Sequence, residues 1–266
     1  MKKIIFFDVD NTILSNKQKR MLPQTKKLLE ELNQDPNTIL GFATGRGPSK
    51  VSILKETLPF FDYQILVNGA VTLNKQGQII SEIYIQKKDL EEALAVAKEH
   101  QINIGMVGFD QEVITGIDQT VEKALSGFQN IMPEINPKYY LNNHIYQIWM
   151  FQGKENDISN IVSKLSQFIP YFWHQDGVDL VYPSVNKANA IYEIKKKYPE
   201  HTLICIGDGH NDIDMIKMAD IGVAMANTGY EELIEAADLI APHIEEDRLY
   251  DFFKENNLLN HKKTNF

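Results

Sequence analysis

Ile4-Ile5-Phe6-Phe7-Asp8-Val9-Asp10-Asn11-Thr12 is the stretch from which the fold is read. Ile4 to Phe7 is apolar with no polar alternation, the pattern of a strand covered on both faces, as in a parallel sheet. Charge then follows at once. In an extended segment side chains alternate, so Asp8 and Asp10 point the same way. Two carboxylates about 4 Å apart at an effective dielectric of about 20 repel by roughly 4 kcal/mol. A cation, or a proton on one of them, relieves that cost. Such a pair at a strand end suits chemistry in which one carboxylate attacks and the other moves a proton.

Outward from this strand the chain alternates. Gln24 to Asn33 reads as a helix with Leu28, Leu29 and Leu32 on one face, Thr38 to Ala43 as a strand, Lys50 to Thr57 as a helix and Ile65 to Val67 as a strand. Val71 to Leu73 and Ile79 to Ile83 flank Asn74-Lys75-Gln76-Gly77-Gln78 and read as a hairpin. The last third returns to alternation, with helices at Ala188–Lys197, Asp212–Met218, Tyr230–Ala236 and Arg248–Glu255, and strands at Thr202–Ile206, Ile221–Ala224 and Leu239–Ala241. The middle differs. An amphipathic helix at Lys88–His100 precedes short strands at Ile102–Val107, Val113–Thr115 and Tyr146–Phe151. A loop-like Met132–Asn143, a helix at Asn156–Phe168 and strands at Tyr171–His174 and Asp179–Val181 complete it. The expected fold is α/β: a Rossmann-like parallel sheet core from 1–83 and 184–266, interrupted by an α+β insert at 84–183. The polar tail, Asn260 to Phe266, is expected to fray.

The chain has 266 residues, 43% hydrophobic and 24% charged, with formal net charge −9. That balance opposes nucleic acid and anionic membranes as general partners, while a local basic pocket can still hold phosphate. Cys205 lies in the apolar run Leu203-Ile204-Cys205-Ile206 and reads as a buried strand residue. The run Ile4–Phe7 is too short for a signal peptide, which needs roughly 7–15 apolar residues. No segment approaches the roughly 18 apolar residues of a membrane span. A cytoplasmic location is the expectation.

Three further clusters follow predicted strand ends, where an open α/β sheet places its ligands. Thr44-Gly45-Arg46-Gly47 offers a hydroxyl, backbone N–H groups and a guanidinium, all suited to phosphate oxygens. Lys187 opens a helix in Ser184-Val185-Asn186-Lys187-Ala188-Asn189. Gly207-Asp208-Gly209-His210-Asn211-Asp212 brackets a turn with Asp208 and Asp212, oxygen ligands of the kind Mg²⁺ favours. A helix cap accounts for Asn211 or Asp212 but not for Asp208 and two glycines. His210 reads as a plain loop side chain.

Asp8-Val9-Asp10-Asn11-Thr12, Thr44, Lys187 and Gly207-Asp208-Gly209-His210-Asn211-Asp212, in that order, resemble the four motifs of the haloacid dehalogenase-like superfamily. The insert resembles the cap of its Cof-type branch, as do Asn68-Gly69-Ala70, Gly222-Val223-Ala224-Met225-Ala226-Asn227 and the ending from Ala237-Asp238 through Arg248-Leu249. Two departures are small: Asn11 and Ala188 stand where the family often has glycine.

The resemblance implies a phosphatase in which Asp8 is the nucleophile, forming an aspartyl-phosphate. Asp10 would protonate the leaving oxygen and then activate water. Mg²⁺ would be held by Asp8, Asp10 through its backbone carbonyl, and Asp208, with Asp212 as a ligand or as a support behind the ligands. Thr44, Gly45, Lys187 and Asn211 would hold phosphoryl oxygens. The implied partner is a small phosphorylated metabolite such as a sugar phosphate, flavin mononucleotide or pyridoxal phosphate. No nucleic acid or membrane is implied, and the chain is expected as a monomer or weak homodimer. Tyr146, Trp149, Trp173 and His174 are candidate selectors in the insert, where core packing competes as their role. Three other readings use the same residues: transfer of the phosphoryl group to a sugar hydroxyl, an idle regulator that binds a phospho-metabolite, and a phospho-aspartate switch. Switch receivers carry their aspartate on a middle strand and lack a large insert.

Overall fold

The computed structural model describes residues 2–126, 132–151 and 155–260. Beyond Asn260 the expected polar tail lies outside the described residues. In chain order the strands are β1 Lys3–Phe7, β2 Leu14–Ser15, β3 Arg20–Met21, β4 Thr38–Ala43, β5 Tyr63–Leu66, β6 Val71–Asn74, β7 Ile79–Glu82, β8 Ile104–Val107, β9 Glu112–Ile114, β10 Glu134–Ile135, β11 Gln147–Phe151, β12 Ile169–His174, β13 Gly177–Val181, β14 Thr202–Gly207, β15 Ile221–Met225 and β16 Leu239–Ala241. The α-helices are α1 Pro23–Gln34, α2 Lys87–Glu99, α3 Gln119–Leu125, α4 Glu155–Val162, α5 Lys187–Lys195, α6 Ile213–Met218, α7 Glu231–Ala236 and α8 Leu249–Glu255.

The chain divides into two compact units. The first comprises residues up to Gly45, Ser52–Ser81 and the chain from Asn186 onward; the second comprises Arg46–Val51 and Glu82–Val185.

The first unit is built on an eight-stranded sheet in the order β16-β15-β14-β1-β4-β5-β6-β7. The pairs from β16 through β5 are parallel, and β6 returns antiparallel to β5. Ile4, Ile5, Phe6 and Phe7 are all fully buried, which explains the missing alternation: β1 is covered on both faces. Each buried Phe or Ile contributes roughly 1.5–3 kcal/mol. Strand register decides which side chains can meet at the sheet's end. Phe7 pairs with Ile206 on one side and Phe42 on the other, so β1, β4 and β14 end level with one another. The chain runs to β4 on one side of β1 and β14 on the other, the arrangement that opens a crevice at the strands' carboxyl ends.

The second unit holds a six-stranded sheet, order β10-β9-β8-β11-β13-β12, mostly antiparallel. Ile104, Met106, Val113, Ile148, Met150, Val178 and Leu180 share one core with Leu90, Ala93 and Ala97 of α2 and Ile158 and Ile161 of α4.

Several elements differ from the sequence reading. Lys50–Thr57 is not an α-helix: 3₁₀ turns run over Pro48–Leu54 and Leu58–Phe60. Pro59 and the β-branched Val51 and Ile53 disfavour a longer α-helix there. The helix expected to Phe168 ends at Val162, and Leu165 and Phe168 continue through tight turns. Met132–Asn143 is not all loop, since Glu134–Ile135 pairs in parallel with β9. The helix Gln119–Leu125 has no counterpart in the sequence reading; Asp118 caps it, accepting from the Val121 N–H at 3.0 Å.

Candidate active site at three strand ends

The level ends of β1, β4 and β14 bring the sequence clusters together within the first unit. Asp8 follows Phe7, Thr44 follows Ala43, and Asp208 follows Gly207. The Asp8 N–H donates to the Ile206 carbonyl at 2.8 Å, which ties the first motif to β14. Lys187 arrives from a different element, the first turn of α5, whose N-cap Asn186 accepts the Asn189 N–H at 2.7 Å.

Lys187 is fully buried, and its ammonium donates to Asp8 Oδ1 at 2.5 Å and Asp212 Oδ1 at 2.7 Å. Burial alone works to deprotonate it, but Asp212 and Asp8 outweigh that and hold its pKa above the ordinary lysine value. The carboxylates outnumber this one cation. Burial raises the Asp8 pKa well above the aspartate range, against the opposing pull of Lys187 and with the help of Asp212, Asp208 and Asp10. Burial likewise raises Asp208 from 3.8 to about 7, with Asp212 adding to it. The site therefore has a negative excess that calls for a proton or a cation.

Carboxylate oxygens of Asp8, Asp208 and Asp212 lie within 4.8 Å of one another. All-oxygen donors at this spacing fit a small divalent cation. Asp212 is already engaged: Oδ2 accepts the N–H groups of Asp208 at 3.0 Å and Gly209 at 2.9 Å, while Oδ1 accepts Lys187. Gly207 is required for this packing, because a Cβ there would sit 2.5 Å from the Asp212 carboxyl carbon. The two glycines of this motif thus serve close approach, and neither has a positive φ.

Thr44 is buried beside Asp8's strand, with its N–H on the Ile65 carbonyl at 2.9 Å. Asp10 is half-buried and Asn11 sits at φ 57. Asparagine tolerates that left-handed backbone, which gives a physical reason why Asn can replace glycine here. His210 is exposed and lies edge-on to Tyr230, consistent with a loop side chain. Arg46 groups with the second unit and donates to the Lys50 carbonyl at 3.5 Å.

Two side chains at the site carry no role in the sequence reading. Asn227 donates to Asp208 Oδ2 at 3.2 Å and to the Asn11 carbonyl at 3.0 Å, and accepts the Ile244 N–H at 2.9 Å. With Thr12, which donates to Asp208 Oδ1 at 3.4 Å, it fixes both oxygens of Asp208. Asn68 accepts from Asn211 Nδ2 at 2.8 Å. Asn68-Gly69-Ala70 resembles the Cof-type branch, but the Asn-Gly dipeptide after a strand marks a turn and assigns no chemistry.

Residues 5–253 match the haloacid dehalogenase-like hydrolase family. The chain belongs to this family. YkrA of Bacillus subtilis (strain 168), whose phosphatase designation is provisional, is 27% identical over 97% of this chain and 98% of its own length. A second Bacillus subtilis (strain 168) relative, the 5-amino-6-(5-phospho-D-ribitylamino)uracil phosphatase YcsE, is 23% identical over 90% of this chain and 89% of its own. Among solved structures, a phosphatase of the superfamily from Bacteroides thetaiotaomicron shares the fold with TM-score 0.88 at 24% identity, covering 97% and 96% of the two chains. A subclass IIB sugar phosphatase matches with TM-score 0.82 at 24% identity over 96% and 99%. Among the described residues no helix is long and apolar enough to cross a membrane.

The insert's candidate selectors lie in the second unit. Tyr146 donates to Glu82 Oε2 at 2.7 Å. Trp149 and Trp173 both pack against Phe151, at 6.4 and 6.2 Å between ring centroids, and His174 Nδ1 accepts the Asp176 N–H at 3.0 Å.

Proposed function

We propose that this hydrolase is a magnesium-dependent phosphatase of small phosphorylated metabolites that works through an aspartyl-phosphate on Asp8. The observation that carries the reading is a buried ammonium, Lys187, hydrogen-bonded to Asp8 within a cluster of carboxylates at the shared end of three strands. A divalent cation would balance that charge and then attract an incoming phosphate.

In the proposed first step an Asp8 oxygen attacks phosphorus, the bond to the leaving oxygen breaks, and Asp10 gives that oxygen its proton. In the second, Asp10 takes a proton from water as the water attacks phosphorus, the bond to Asp8 breaks, and phosphate leaves. Thr44, the Gly45 N–H, Lys187 and Asn211 hold the equatorial oxygens, where charge accumulates. Asp8, the Asp10 carbonyl and Asp208 would hold Mg²⁺, with Asp212 as a further ligand or just behind them, and the ion would supply charge neutralisation between nucleophile and phosphate. Asp212 would act mainly by fixing Lys187 and the 208–209 backbone, since its oxygens are already engaged.

The insert at 84–183, in this reading, is the cap that selects the leaving group, and 1–83 with 184–266 is the catalytic core. Arg46 follows the phosphate-binding Gly45 directly, and Lys50 of the same segment pairs with Glu112 of β9 at 3.3 Å. The sheet face away from its apolar core carries Gln147, Trp149 and Asp179. Desolvation pushes the Asp179 carboxyl up to about 8, opposed by hydrogen bonds from Trp173 and Gln147. A protonated carboxyl, an amide and aromatic rings suit a polar, hydroxyl-bearing leaving group.

The test is phosphate release from p-nitrophenyl phosphate with Mg²⁺ and with chelator, followed by a panel of phosphorylated metabolites. Release that needs Mg²⁺ and no acceptor sugar supports hydrolysis. Release only on adding an acceptor would assign phosphoryl transfer instead.

A further inference from the structure

The turn Val67-Asn68-Gly69 lies outside all four sequence clusters, yet it touches three of them. The Asn68 N–H donates to the Thr44 carbonyl at 2.9 Å. Its side-chain oxygen accepts from Asn211 at 2.8 Å. Gly69 packs so tightly on the N-cap of α5 that a Cβ would stand 2.4 Å from the Asn186 carbonyl oxygen, one residue before Lys187. The same Asn68 side chain lies against Gly45, where a Cβ would be 3.3 Å from Oδ1.

The backbone here is unusual. Val67, Asn68 and Gly69 have φ of 51, 55 and 105 in succession. A β-branched residue in the left-handed region is strained, and such strain persists only where the surroundings over-determine it. Asn68 is also 2% exposed. Its residue type meets two demands at once: it tolerates the left-handed backbone, and it offers an acceptor to Asn211.

We infer that Asn68 is a positioning residue of the phosphate site, whose carboxamide fixes the Asn211 amide and whose turn holds the Thr44 and Lys187 loops in one register. Asn211 is held through its amide nitrogen. Its Oδ1 sits over Gly209, where a Cβ would be 2.6 Å away, and its Nδ2 is held by Asn68. The amide therefore presents its second N–H in a single direction. Without Asn68 the amide is free to rotate about its last torsion. The kinetic consequence rests on the phosphatase reading; the restraint on Asn211 does not.

The experiment is a double-mutant cycle with Asn68→Gly, Asn211→Ala and the pair, read as kcat and KM for p-nitrophenyl phosphate. Glycine keeps the left-handed backbone and removes the carboxamide. Asn68→Gly is expected to lower kcat/KM by about 10–100-fold, as the loss of outer-layer support commonly does. In the Asn211→Ala background the same change is expected to cost less than about twofold, because the two act as one unit. Equal losses in both backgrounds would overturn the inference. The second readout needs no turnover: the ¹⁵N-labelled Asn211 side-chain amide. It is expected to show proton shifts displaced from those of an unrestrained asparagine in the parent protein, and shifts close to the unrestrained values in Asn68→Gly. An amide signal unaffected by Asn68→Gly would overturn the inference too. If the parent protein hydrolyses no ester, the phosphatase reading fails by itself and the amide signal alone decides. Should Asn68→Gly not fold, Asn68→Asp keeps an acceptor and a residue type suited to the backbone, and Asn211 is expected to stay restrained in it; Asn211 amide shifts close to those of an unrestrained asparagine there overturn the inference.

Discussion

The eight-stranded and six-stranded sheets solve opposite problems. The larger one buries the strand β1 on both faces and spends its polar residues at the strand ends, where Asp8, Thr44 and Asp208 emerge level with one another. The smaller one buries one face against α2 and α4 and keeps Gln147, Trp149 and Asp179 on the other. Chemistry placed at strand ends depends on register, which is set by backbone pairing and tolerates little change. Chemistry placed on a sheet face depends on side chains that can be exchanged without moving the backbone. The first arrangement suits a reaction shared by many substrates, and the second suits the choice among them.

The contrast predicts unequal mutational effects. The largest is expected at the strand ends. Asp8→Asn should lower phosphate release by about 10⁴-fold or more while circular dichroism and Tm stay near the parent values. Substantial release by that variant would remove Asp8 as nucleophile. Lys187→Ala should be costly twice over, because it leaves Asp8 and Asp212 buried without their cation. A loss of about 3–5 kcal/mol in denaturant unfolding is expected together with loss of turnover. A neutral effect on stability would mean that the carboxylates find another partner.

On the sheet face the effect should change kind. Asp179→Asn is expected to reorder the metabolite panel while p-nitrophenyl phosphate turnover stays within about tenfold, since one or two hydrogen bonds are at stake. If it instead abolished turnover of every ester alike, the division of labour between the two sheets would be wrong.

A pH test sharpens the charge argument. Asp208 has its folded pKa raised from 3.8 to about 7, so between those values the folded state binds more protons than the unfolded one. Stability from this group is therefore present below about pH 4 and lost as pH rises towards 7. Without divalent cation, Tm of the parent protein should fall over that window relative to Asp208→Asn, and Mg²⁺ should remove the difference. Parallel curves for the two proteins without metal would contradict the assignment. The smallest effect is expected at Asn11, where φ is 57. Asn11→Gly should change stability by no more than about 0.5 kcal/mol, whereas Asn11→Ala should cost about 1–2 kcal/mol in thermal unfolding.

The same contrast explains what could be read from the sequence. The strands Thr38–Ala43 and Leu239–Ala241 are legible to the residue, because short apolar runs bounded by polar turns and alternating with helical patterns favour buried strands. The acidic pairs are legible because carboxylates gathered after apolar strands have few structural uses. Asn68 and Asn227 stand in stretches that resemble the Cof-type branch, yet their roles are not legible, because these come from contacts with Asn211 and Asp208, which are distant in the chain. In the second unit, β10 escapes notice because its pairing with β9 is only two residues long. The grouping of Arg46–Val51 with that unit has no local signal, since it reflects long-range packing such as Lys50 on Glu112.

The most direct test of the account is to quench the protein with acid during turnover of p-nitrophenyl phosphate and map covalent phosphate by mass spectrometry of its peptides. The account predicts one phosphoryl group on Asp8, sensitive to hydroxylamine and absent from Asp8→Asn. Steady phosphate release with no phosphoryl group on Asp8, or with the group on another residue, would contradict it.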